Sequence, residues 1–147
     1  MKLESPDFLD KGKMPSSLTC DADDISPELR ISDAPKNAKS LVLIMDDPDA
    51  PIRTWDHWIV FNMDPSTSLI PKGKEPKGMG GKNSWGRTGY GGPCPPSGTH
   101  RYFFKLYALD IILGLKEGAT KEQIQNAMKG RIIEETELMG TYQRMKQ

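Results

Sequence analysis

The sequence predicts a chain dominated by β-strands and folded as a sandwich or a barrel. Short runs rich in strand-forming residues alternate with connections rich in Gly and Pro, which is typical of such folds. Only one segment carries a strong helix signal, and no internal repeat interrupts the pattern. The length of 147 residues predicts one domain over residues 1–147, with enough chain for a hydrophobic core.

Two predicted strands lie in the first half of the chain. The run Leu41–Met45 is wholly apolar and is followed by a stretch rich in Asp and Pro, which indicates a buried strand entering a rigid loop. In the run Trp55–Asn62, strict alternation assigns successive side chains to opposite faces, and both faces are predicted to be largely buried. One face would carry Trp55, His57, Ile59 and Phe61, and the other Trp58, Val60 and Asn62.

A third strand is predicted over His100–Leu109. Alternation places His100 and Tyr102 on one face of this strand. The same face would carry Phe104, Leu106 and Ala108, and the other Arg101, Phe103, Lys105, Tyr107 and Leu109.

The segment between the second and third strands, residues 71–98, carries nine of the 14 glycines and five of the 12 prolines. This composition resembles a linker, but disordered linkers contain few aromatic residues. Trp85, Tyr90 and the dense turn sequence of Gly91–Pro96 therefore favour a loop that packs on itself. Loops of this length in compact domains tend to carry function.

The helix signal is a capping box formed by Thr120 and Gln123, followed by an apolar pattern that ends at Gly130. We predict a helix of about two to three turns at this position. Residues 131–142 leave two alternatives open. They could continue a helix after the glycine, or form a final strand around residues 136–139.

The charge balance argues against partners that are recognised by a strong electrostatic field. Lys and Arg total 20, and Asp and Glu also total 20, so no net charge attracts the chain to nucleic acid or to an anionic membrane. The longest apolar run, Leu41–Met45, is much shorter than the ~20 residues of a membrane helix. We therefore expect no nucleic-acid partner and no membrane span.

The cysteines and the N-terminus predict a cytoplasmic protein. Cys20 and Cys94 are the only two cysteines and lie far apart in the sequence, while charged residues follow Met1 where a secretory signal would be basic and then apolar. We expect reduced thiols, with a Cys20–Cys94 disulfide as the alternative.

The two histidines of the chain suggest a shared pocket. His57 follows the loop Asp47–Pro51, and His100 follows the Gly/Pro-rich loop, so each lies at the entrance of a predicted strand. Alone, Asp47–Pro51 is an ordinary turn, because Asp and Pro are preferred turn residues. Two histidines at loop–strand junctions, one of them near aspartates, predict a pocket at one end of the sheet.

Two reactive uses of such a pocket have weak support. A metal site could take both histidines with Asp47 and Asp49, but no pair has the spacing of known zinc motifs. A hydrolase could use Ser97 or Cys94, but no Gly-x-Ser-x-Gly elbow is present and Cys94 lies between prolines. We therefore expect no metal, no cofactor and no catalytic residue.

A site for a small anion fits the residues better. Imidazoles, the Tyr102 hydroxyl and the backbone amides of a Gly-rich loop are hydrogen-bond donors that suit a phosphate or a carboxylate. The neighbouring aspartates would then hold the histidine tautomers or accept protons.

Three segments of the sequence together resemble those of a known family. Asp47–Pro51, Trp55–Trp58 and Gly91–Tyr102 resemble, in spacing and order, the signature regions of the phosphatidylethanolamine-binding proteins, also called Raf kinase inhibitor-like proteins. Ile25–Leu29 and Glu137–Tyr142 resemble the short bacterial and archaeal branch. The resemblance covers most of the chain, and the combination of segments is specific.

The resemblance implies two antiparallel sheets packed as a sandwich, with one or two short peripheral helices and a pocket at one end. It therefore favours a strand in the tail. It implies a ligand pocket formed by Asp47, Asp49, Pro51, His57, Gly92, Pro93, His100 and Tyr102. For Arg101, on the opposite strand face, we expect a structural ion pair. The family's strained turn also predicts a cis Ala50–Pro51 bond.

The implied function is non-enzymatic binding of a small anion: phosphate, a phosphorylated metabolite or a phospholipid headgroup. The alternative is a protein-interaction role as an inhibitor of a serine protease or a kinase, and an uncharacterised hydrolase ranks last. Compared with eukaryotic members the chain is short and lacks their C-terminal helix beside the pocket. Apolar surface should then be exposed near the pocket, which predicts a homodimer.

Overall fold

The strands and the helix are described for residues 1–145 in a computed structural model, which contains nine strands and one α-helix over that range. The strands are β1 Lys2–Glu4, β2 Gly12–Lys13, β3 Leu29–Ser32, β4 Ser40–Asp47, β5 Trp55–Met63, β6 Leu69–Ile70, β7 Met79–Gly80, β8 His100–Leu109 and β9 Ile132–Tyr142. The helix α1 is Lys121–Met128, and a short 3₁₀ turn covers Ser16–Leu18.

The strands form two sheets. The smaller sheet has the order β1–β3–β6, and the larger has the order β2–β9–β8–β4–β5–β7. Neighbouring strands are antiparallel except for the short parallel pair β2 and β9. The predicted two-sheet sandwich is confirmed, and a barrel is not formed.

The main hydrophobic core lies between the two sheets. The smaller sheet supplies Leu3, Leu29, Ile31 and Ile70, and the larger supplies Leu41, Leu43, Met45, Trp58, Val60, Tyr102, Phe104, Leu106, Ala108 and Leu138. A second core covers the opposite face of the larger sheet. It consists of Val42, Ile44, Ile59, Phe61 and Leu109 with Leu113, Ala119, Ile124 and Met128.

The apolar sequence of the central strand β4 follows from its position in the fold. All eight of its residues are buried, because the smaller sheet covers one face and α1 with its flanking loop covers the other. A strand buried on both faces needs apolar residues at consecutive positions. The continuous run Leu41–Met45 is therefore a strand, as predicted.

The predicted helix is confirmed with its capping box. The Thr120 hydroxyl accepts from the Gln123 amide at 3.1 Å, and the Gln123 side chain accepts from the Thr120 amide at 2.9 Å. Ile124 and Met128, four residues apart, are the buried positions of α1. Gly130 follows with a φ of 74°, a left-handed conformation that ends a helix at low cost. No helix in residues 1–145 has the length and apolar character needed to cross a bilayer.

The tail is a strand, as the family resemblance implied. β9 pairs with β8 along its length, from His100 opposite Tyr142 to Leu109 opposite Ile132. The helical alternative is therefore wrong for these residues. This pairing places the start of β8 in the interior of the larger sheet, which gives His100 a fixed position.

Strand β5 departs from strict alternation at His57. Asp46 pairs with Asp56 and Met45 pairs with Trp58, so His57 is an extra residue in a β-bulge. Beyond the bulge, Ile59 and Phe61 lie in the second core, whereas the His57 ring contacts Tyr102 in the main core. The prediction that His57 shares a face with Ile59 and Phe61 is wrong, because periodicity alone does not detect an inserted residue.

Candidate functional site

A cavity of ≈ 350 Å³ lies where β4 ends and where β5 and β8 begin. Its lining residues are Asp47, Ala50, Pro51, Trp55, His57, Trp85, Cys94, Pro95, Pro96, His100 and Tyr102. The structure therefore brings together Asp47, Pro51, His57, His100 and Tyr102 of the predicted pocket. Asp49, Gly92 and Pro93 do not line this cavity.

The His57 ring is held by the loop that follows β7. Its Nδ1 lies 2.7 Å from the carbonyl oxygen of Gly91, and the Gly91 amide donates to the His57 carbonyl at 3.0 Å. A carbonyl only accepts, so Nδ1 carries a proton and Nε2 is left for other contacts. Burial lowers the pKa of His57 below its ordinary value of 6.5, which keeps this ring neutral near pH 7.

The second imidazole is paired with a carboxylate. His100 Nδ1 lies 2.7 Å from Asp47 Oδ2, and both side chains are buried. The carboxylate can only accept when ionised, so Nδ1 donates and the pair fixes the tautomer. The other ring nitrogen, Nε2, is left for contacts with a ligand, and an imidazolium N–H at that position would make a charge-assisted hydrogen bond to an anion.

Tyr102 lies between the two histidines. Its ring stands edge-on to His57, with centroids 5.3 Å apart, and stacks on His100 at 6.5 Å. Burial and then the nearby Asp47 carboxylate raise the pKa of Tyr102 above 10, so the phenol keeps its proton. Within the described residues, its hydroxyl is buried and makes no hydrogen bond of normal geometry. A buried hydroxyl of this kind can donate a hydrogen bond to an oxygen atom of a ligand.

Asp49 is used for a different purpose from the one predicted. Its carboxylate accepts from Nε and Nη2 of Arg101 and from the Arg101 backbone amide, each at 2.9 Å. The hydrogen bonds from Arg101 lower the pKa of Asp49 from 3.8 to about 2. The predicted structural ion pair of Arg101 is therefore confirmed, with Asp49 as its partner.

Two tryptophans form an apolar wall of the cavity. Trp85 meets Trp55 edge-on at 5.6 Å and His57 edge-on at 5.2 Å. The side chain of Asn83 fixes the Trp85 turn, since its Oδ1 accepts from the amides of Trp85 and Arg87. The predicted self-packed loop is thus confirmed in this segment.

Gly91 is required by the same packing. A Cβ atom at this position would lie 2.2 Å from the Trp85 ring, so any larger residue would displace the tryptophan from the wall.

The rest of the wall is joined to the N-terminal part of the chain. Cys20 and Cys94 form a disulfide that spans 74 residues of sequence. The prediction of reduced thiols is therefore wrong, and the disulfide alternative is correct. Disulfides are rare in cytosolic proteins outside hyperthermophiles, so the cysteines no longer support a cytoplasmic location.

Gly92 and Pro93 lie beside this disulfide and not in the wall itself. The Gly92 amide donates to Asp24 Oδ1 at 2.8 Å, and the Pro93 carbonyl accepts from the Cys20 amide at 3.1 Å. Both residues therefore anchor the loop from outside the cavity.

The loop that follows Asp49 contributes Ala50 and Pro51 to the lining of the cavity. No peptide bond in the described residues is cis, so Ala50–Pro51 is trans and the cis prediction is wrong. Pro51 lines the cavity, and the next residue, Ile52, is fully exposed with a φ of 77°. A β-branched residue rarely adopts this conformation.

The donor set suits hydrogen bonding better than metal coordination. Residues 1–145 contain no cluster of three or more His, Cys, Asp or Glu side chains that could hold a metal ion. The lining includes neither Lys nor Arg, so any positive charge in the cavity has to come from the imidazoles.

Sequence reasoning did not assign six of the lining residues to the pocket: the aromatic residues Trp55 and Trp85, the disulfide residue Cys94, and Ala50, Pro95 and Pro96. One signal was available. A tryptophan within a Gly/Pro-rich loop is expected to pack part of its ring on a neighbour, and Trp85 contacts Trp55 and His57 while 42% of its surface stays exposed.

Comparisons with known proteins agree with this architecture. The family model for phosphatidylethanolamine-binding protein matches residues 4–143. A UPF0098 protein of Methanothermobacter thermautotrophicus is 51% identical over 98% of this chain and 99% of its own length. A UPF0098 protein of Chlamydia trachomatis is 46% identical over 98% of this chain and 99% of its own length. These names state no activity.

Two solved structures are also similar. The crystal structure of CT736, a phosphatidylethanolamine-binding protein homologue of Chlamydia trachomatis, has a TM-score of 0.93 and 46% identity over 97% of this chain and 96% of its own. The crystal structure of YbcL of Escherichia coli, described as a new member of the mammalian family, has a TM-score of 0.89. It is 27% identical over 97% of this chain and 98% of its own.

Proposed function

The chain belongs to the phosphatidylethanolamine-binding protein family, and on that premise we propose that its cavity binds a small phosphorylated ligand without converting it. Family membership supports a binding-type protein in general. The ligand class that we propose is a phosphate group carried by a small organic moiety, such as a phospholipid headgroup or a phosphorylated metabolite.

The observation that carries the proposal is the Asp47–His100 pair beside the buried Tyr102 hydroxyl, which lies near the Asp47 carboxylate but makes no hydrogen bond of normal geometry. A buried hydroxyl without a partner costs about 1–3 kcal/mol, and a ligand oxygen would recover part of that cost. His100, protonated at Nε2, would supply a second donor directed at the same oxygen or its neighbour.

His57 would play a different part in the same cavity. Since burial lowers its pKa, the ring is neutral near pH 7, and its Nε2 is an acceptor. A phosphate monoester keeps one P–OH group as its monoanion, the form that predominates below a second pKa of about 6, and this group can donate to that nitrogen. The two imidazoles thus suit the acceptor and donor sides of one hydrogen phosphate group.

The wall favours an organic phosphate over the inorganic ion. Trp55, Trp85 and Pro51 present apolar surface next to the donors, and burying the carbon atoms of a headgroup there is favourable. Inorganic phosphate gains nothing from this surface. We therefore expect a phosphorylated amine or alcohol to bind more tightly than phosphate alone.

The lining residues support binding more than catalysis. They include no Ser or Thr, and the sulfur of Cys94 is bonded to Cys20, so none of them offers a hydroxyl or thiol nucleophile of the usual kind. A hydrolase would have to activate water through His100 and Asp47, and turnover of a phosphoester would reveal that activity.

Calorimetric titration at pH 6.5 with O-phosphoethanolamine, inorganic phosphate and ethanolamine tests the proposal. We expect the first to bind most tightly, the second weakly and the third not at all. His100→Ala should lose most of the affinity, while Arg101→Ala, which changes a residue outside the cavity, should keep it. Absence of binding by both phosphate compounds, or full affinity in His100→Ala, would disprove the proposal, and release of phosphate during titration would favour the hydrolase.

One feature favours the alternative of a protein-interaction inhibitor. Ile52 is fully exposed at the rim, in a conformation that β-branched residues rarely adopt. An exposed apolar side chain held in this way could contact a protease or a kinase. Inhibition of a member of a protease panel that disappears in Ile52→Ser, with O-phosphoethanolamine binding retained, would favour this function.

A further inference from the structure

Cys94 combines two roles that are usually separate. Its side chain lines the cavity, and its sulfur is bonded to Cys20, which lies 74 residues earlier in the chain. The same bond that joins two loops therefore also positions one wall of the proposed binding site.

The loop before Cys94 has other attachments to the N-terminal segment. The Tyr90 hydroxyl donates to the Leu18 carbonyl at 2.7 Å, and the Gly92 amide donates to Asp24 at 2.8 Å. The Cys20 amide donates to the Pro93 carbonyl at 3.1 Å. These contacts would hold residues 90–93 in place even without the disulfide.

The wall beyond this point is held differently. Pro95 and Pro96 both line the cavity, and neither has an N–H group with which to tie its backbone to a neighbour. Pro95 is buried and is also held by packing, whereas Pro96 is exposed, and the covalent bond at Cys94 is the crosslink that adjoins both. Opening it would free the proline part of the wall and leave the Gly91–His57 contact intact.

The disulfide is also open to attack. Cys94 is an exposed residue and Cys20 is half-buried, so a thiol can approach from the Cys94 side. A dithiol reductant would attack Cys94 Sγ through its thiolate, forming a mixed disulfide while Cys20 leaves as a thiolate that takes up a proton. The second thiol of the reductant then displaces Cys94, which yields two cysteine thiols and one oxidised, cyclic dithiol.

We propose that the Cys20–Cys94 disulfide is a redox-controlled clasp on the cavity: oxidised, it holds the Pro95–Pro96 wall in the ligand-binding position, and reduction by a dithiol releases that wall and weakens binding. The proposal rests on the proposed function for its ligand. It predicts a change in affinity that a purely structural disulfide would not produce.

The experiment compares oxidised protein with protein reduced by dithiothreitol, at a temperature where both remain folded. O-Phosphoethanolamine is titrated into each form by calorimetry, and amide hydrogen exchange is followed by mass spectrometry. If reduction leaves the wall in its binding position for a tenth of the time, the apparent Kd rises roughly tenfold. Exchange should accelerate at Ser97–Thr99 and stay unchanged at Gly91.

Two variants separate a clasp from a structural crosslink. The double variant Cys20→Ser/Cys94→Ser should bind as weakly as the reduced protein and should not respond to dithiothreitol. Tyr90→Phe removes another attachment between the same two segments but keeps the disulfide, so it should lose stability and retain the redox response.

Each result decides the question. The same Kd in the oxidised and reduced forms overturns the clasp but leaves the proposed function standing. If the oxidised protein binds no phosphate compound, the proposed function is wrong. The hydrogen-exchange rates of the oxidised and reduced forms then test the clasp independently of any ligand. Faster exchange confined to Ser97–Thr99 then supports it, and unchanged exchange there overturns it.

Discussion

His100 Nδ1 lies 2.7 Å from Asp47 Oδ2, although 53 residues separate the two in the sequence. The bond joins the end of β4 to the start of β8 and lies in the wall of the cavity. It therefore couples the stability of the larger sheet to the geometry of the proposed ligand site.

The first prediction concerns this pair. Asp47→Ala leaves the buried Nδ1–H of His100 without an acceptor and should lower the free energy of unfolding by about 1–3 kcal/mol. Asp47→Asn keeps an acceptor oxygen and should cost less. Urea denaturation at pH 7 measures both, and equal losses would show that the hydrogen bond is not what stabilises this position.

The second prediction ranks the two histidines in phosphate binding. At pH 7 we expect His100→Ala to weaken O-phosphoethanolamine binding by roughly 1.5–3 kcal/mol, the range for a hydrogen bond to a charged group. His57→Ala should cost about 0.5–1.5 kcal/mol, because burial lowers the His57 pKa and its neutral ring makes an ordinary hydrogen bond. Calorimetry measures both, and a larger loss in His57→Ala would reverse the roles given to the rings.

The third prediction concerns the pH dependence of binding. Affinity should fall as pH rises, because an imidazolium donor is lost on deprotonation. His57 can contribute a charged donor only below its lowered pKa, so its share should be lost below pH 6.5. Titration of O-phosphoethanolamine between pH 5 and 8 tests this, with His57→Gln as the control in which the low-pH part should be absent. A flat profile in the wild-type protein would contradict the imidazolium mechanism.

The fourth prediction concerns the Asp49–Arg101 pair. The pKa of Asp49 in the folded protein is about 2, below its ordinary value of 3.8. The stabilisation that the ionised carboxylate gives to the folded state is therefore present above pH 3.8 and is lost as pH falls through about 2. Since Asp49 is about 29% exposed and Arg101 about 51%, solvent screens the pair, and Asp49→Asn should cost less than Asp47→Ala. Unfolding at pH 7 and at pH 2 should show the difference from wild type shrinking in acid, and an undiminished difference would mean that the carboxylate charge is not responsible.

The fifth prediction concerns the disulfide and stability. Because it spans 74 residues, its removal in Cys20→Ser/Cys94→Ser should lower the free energy of unfolding by roughly 2–4 kcal/mol, mainly by restoring freedom to the unfolded chain. Thermal and urea unfolding measure this loss. Dithiothreitol should produce the same loss in the wild-type protein and none in the double variant.

Local patterns predicted the strands β4, β5 and β8 and the helix, whereas β9 was favoured only by the family resemblance. The strand β8 is His100–Leu109 as predicted, with Tyr102, Phe104, Leu106 and Ala108 in the main core. The helix follows its Thr120 capping box. These features depend on residues within one turn or one strand, where backbone geometry translates directly into a sequence period.

Periodicity failed where the chain contains an inserted residue. The bulge at His57 moves its ring to the side of Tyr102, and this movement is what allows both histidines to line one cavity. A bulge is specified by the register between two strands, which a single strand's sequence does not contain.

The amino-acid sequence by itself determined the β-rich class, the helix and the set of histidine and aspartate residues at one end of the sheet, because apolar periods and capping residues act locally. The family resemblance, and not periodicity, favoured the sandwich over the barrel. The tertiary structure decided which of those residues meet. It directs Asp49 to Arg101 and not to the cavity, places Trp85 against His57, and bonds Cys94 to Cys20. Such pairings join segments that lie tens of residues apart, so they depend on strand order and loop path, which only the packed chain defines.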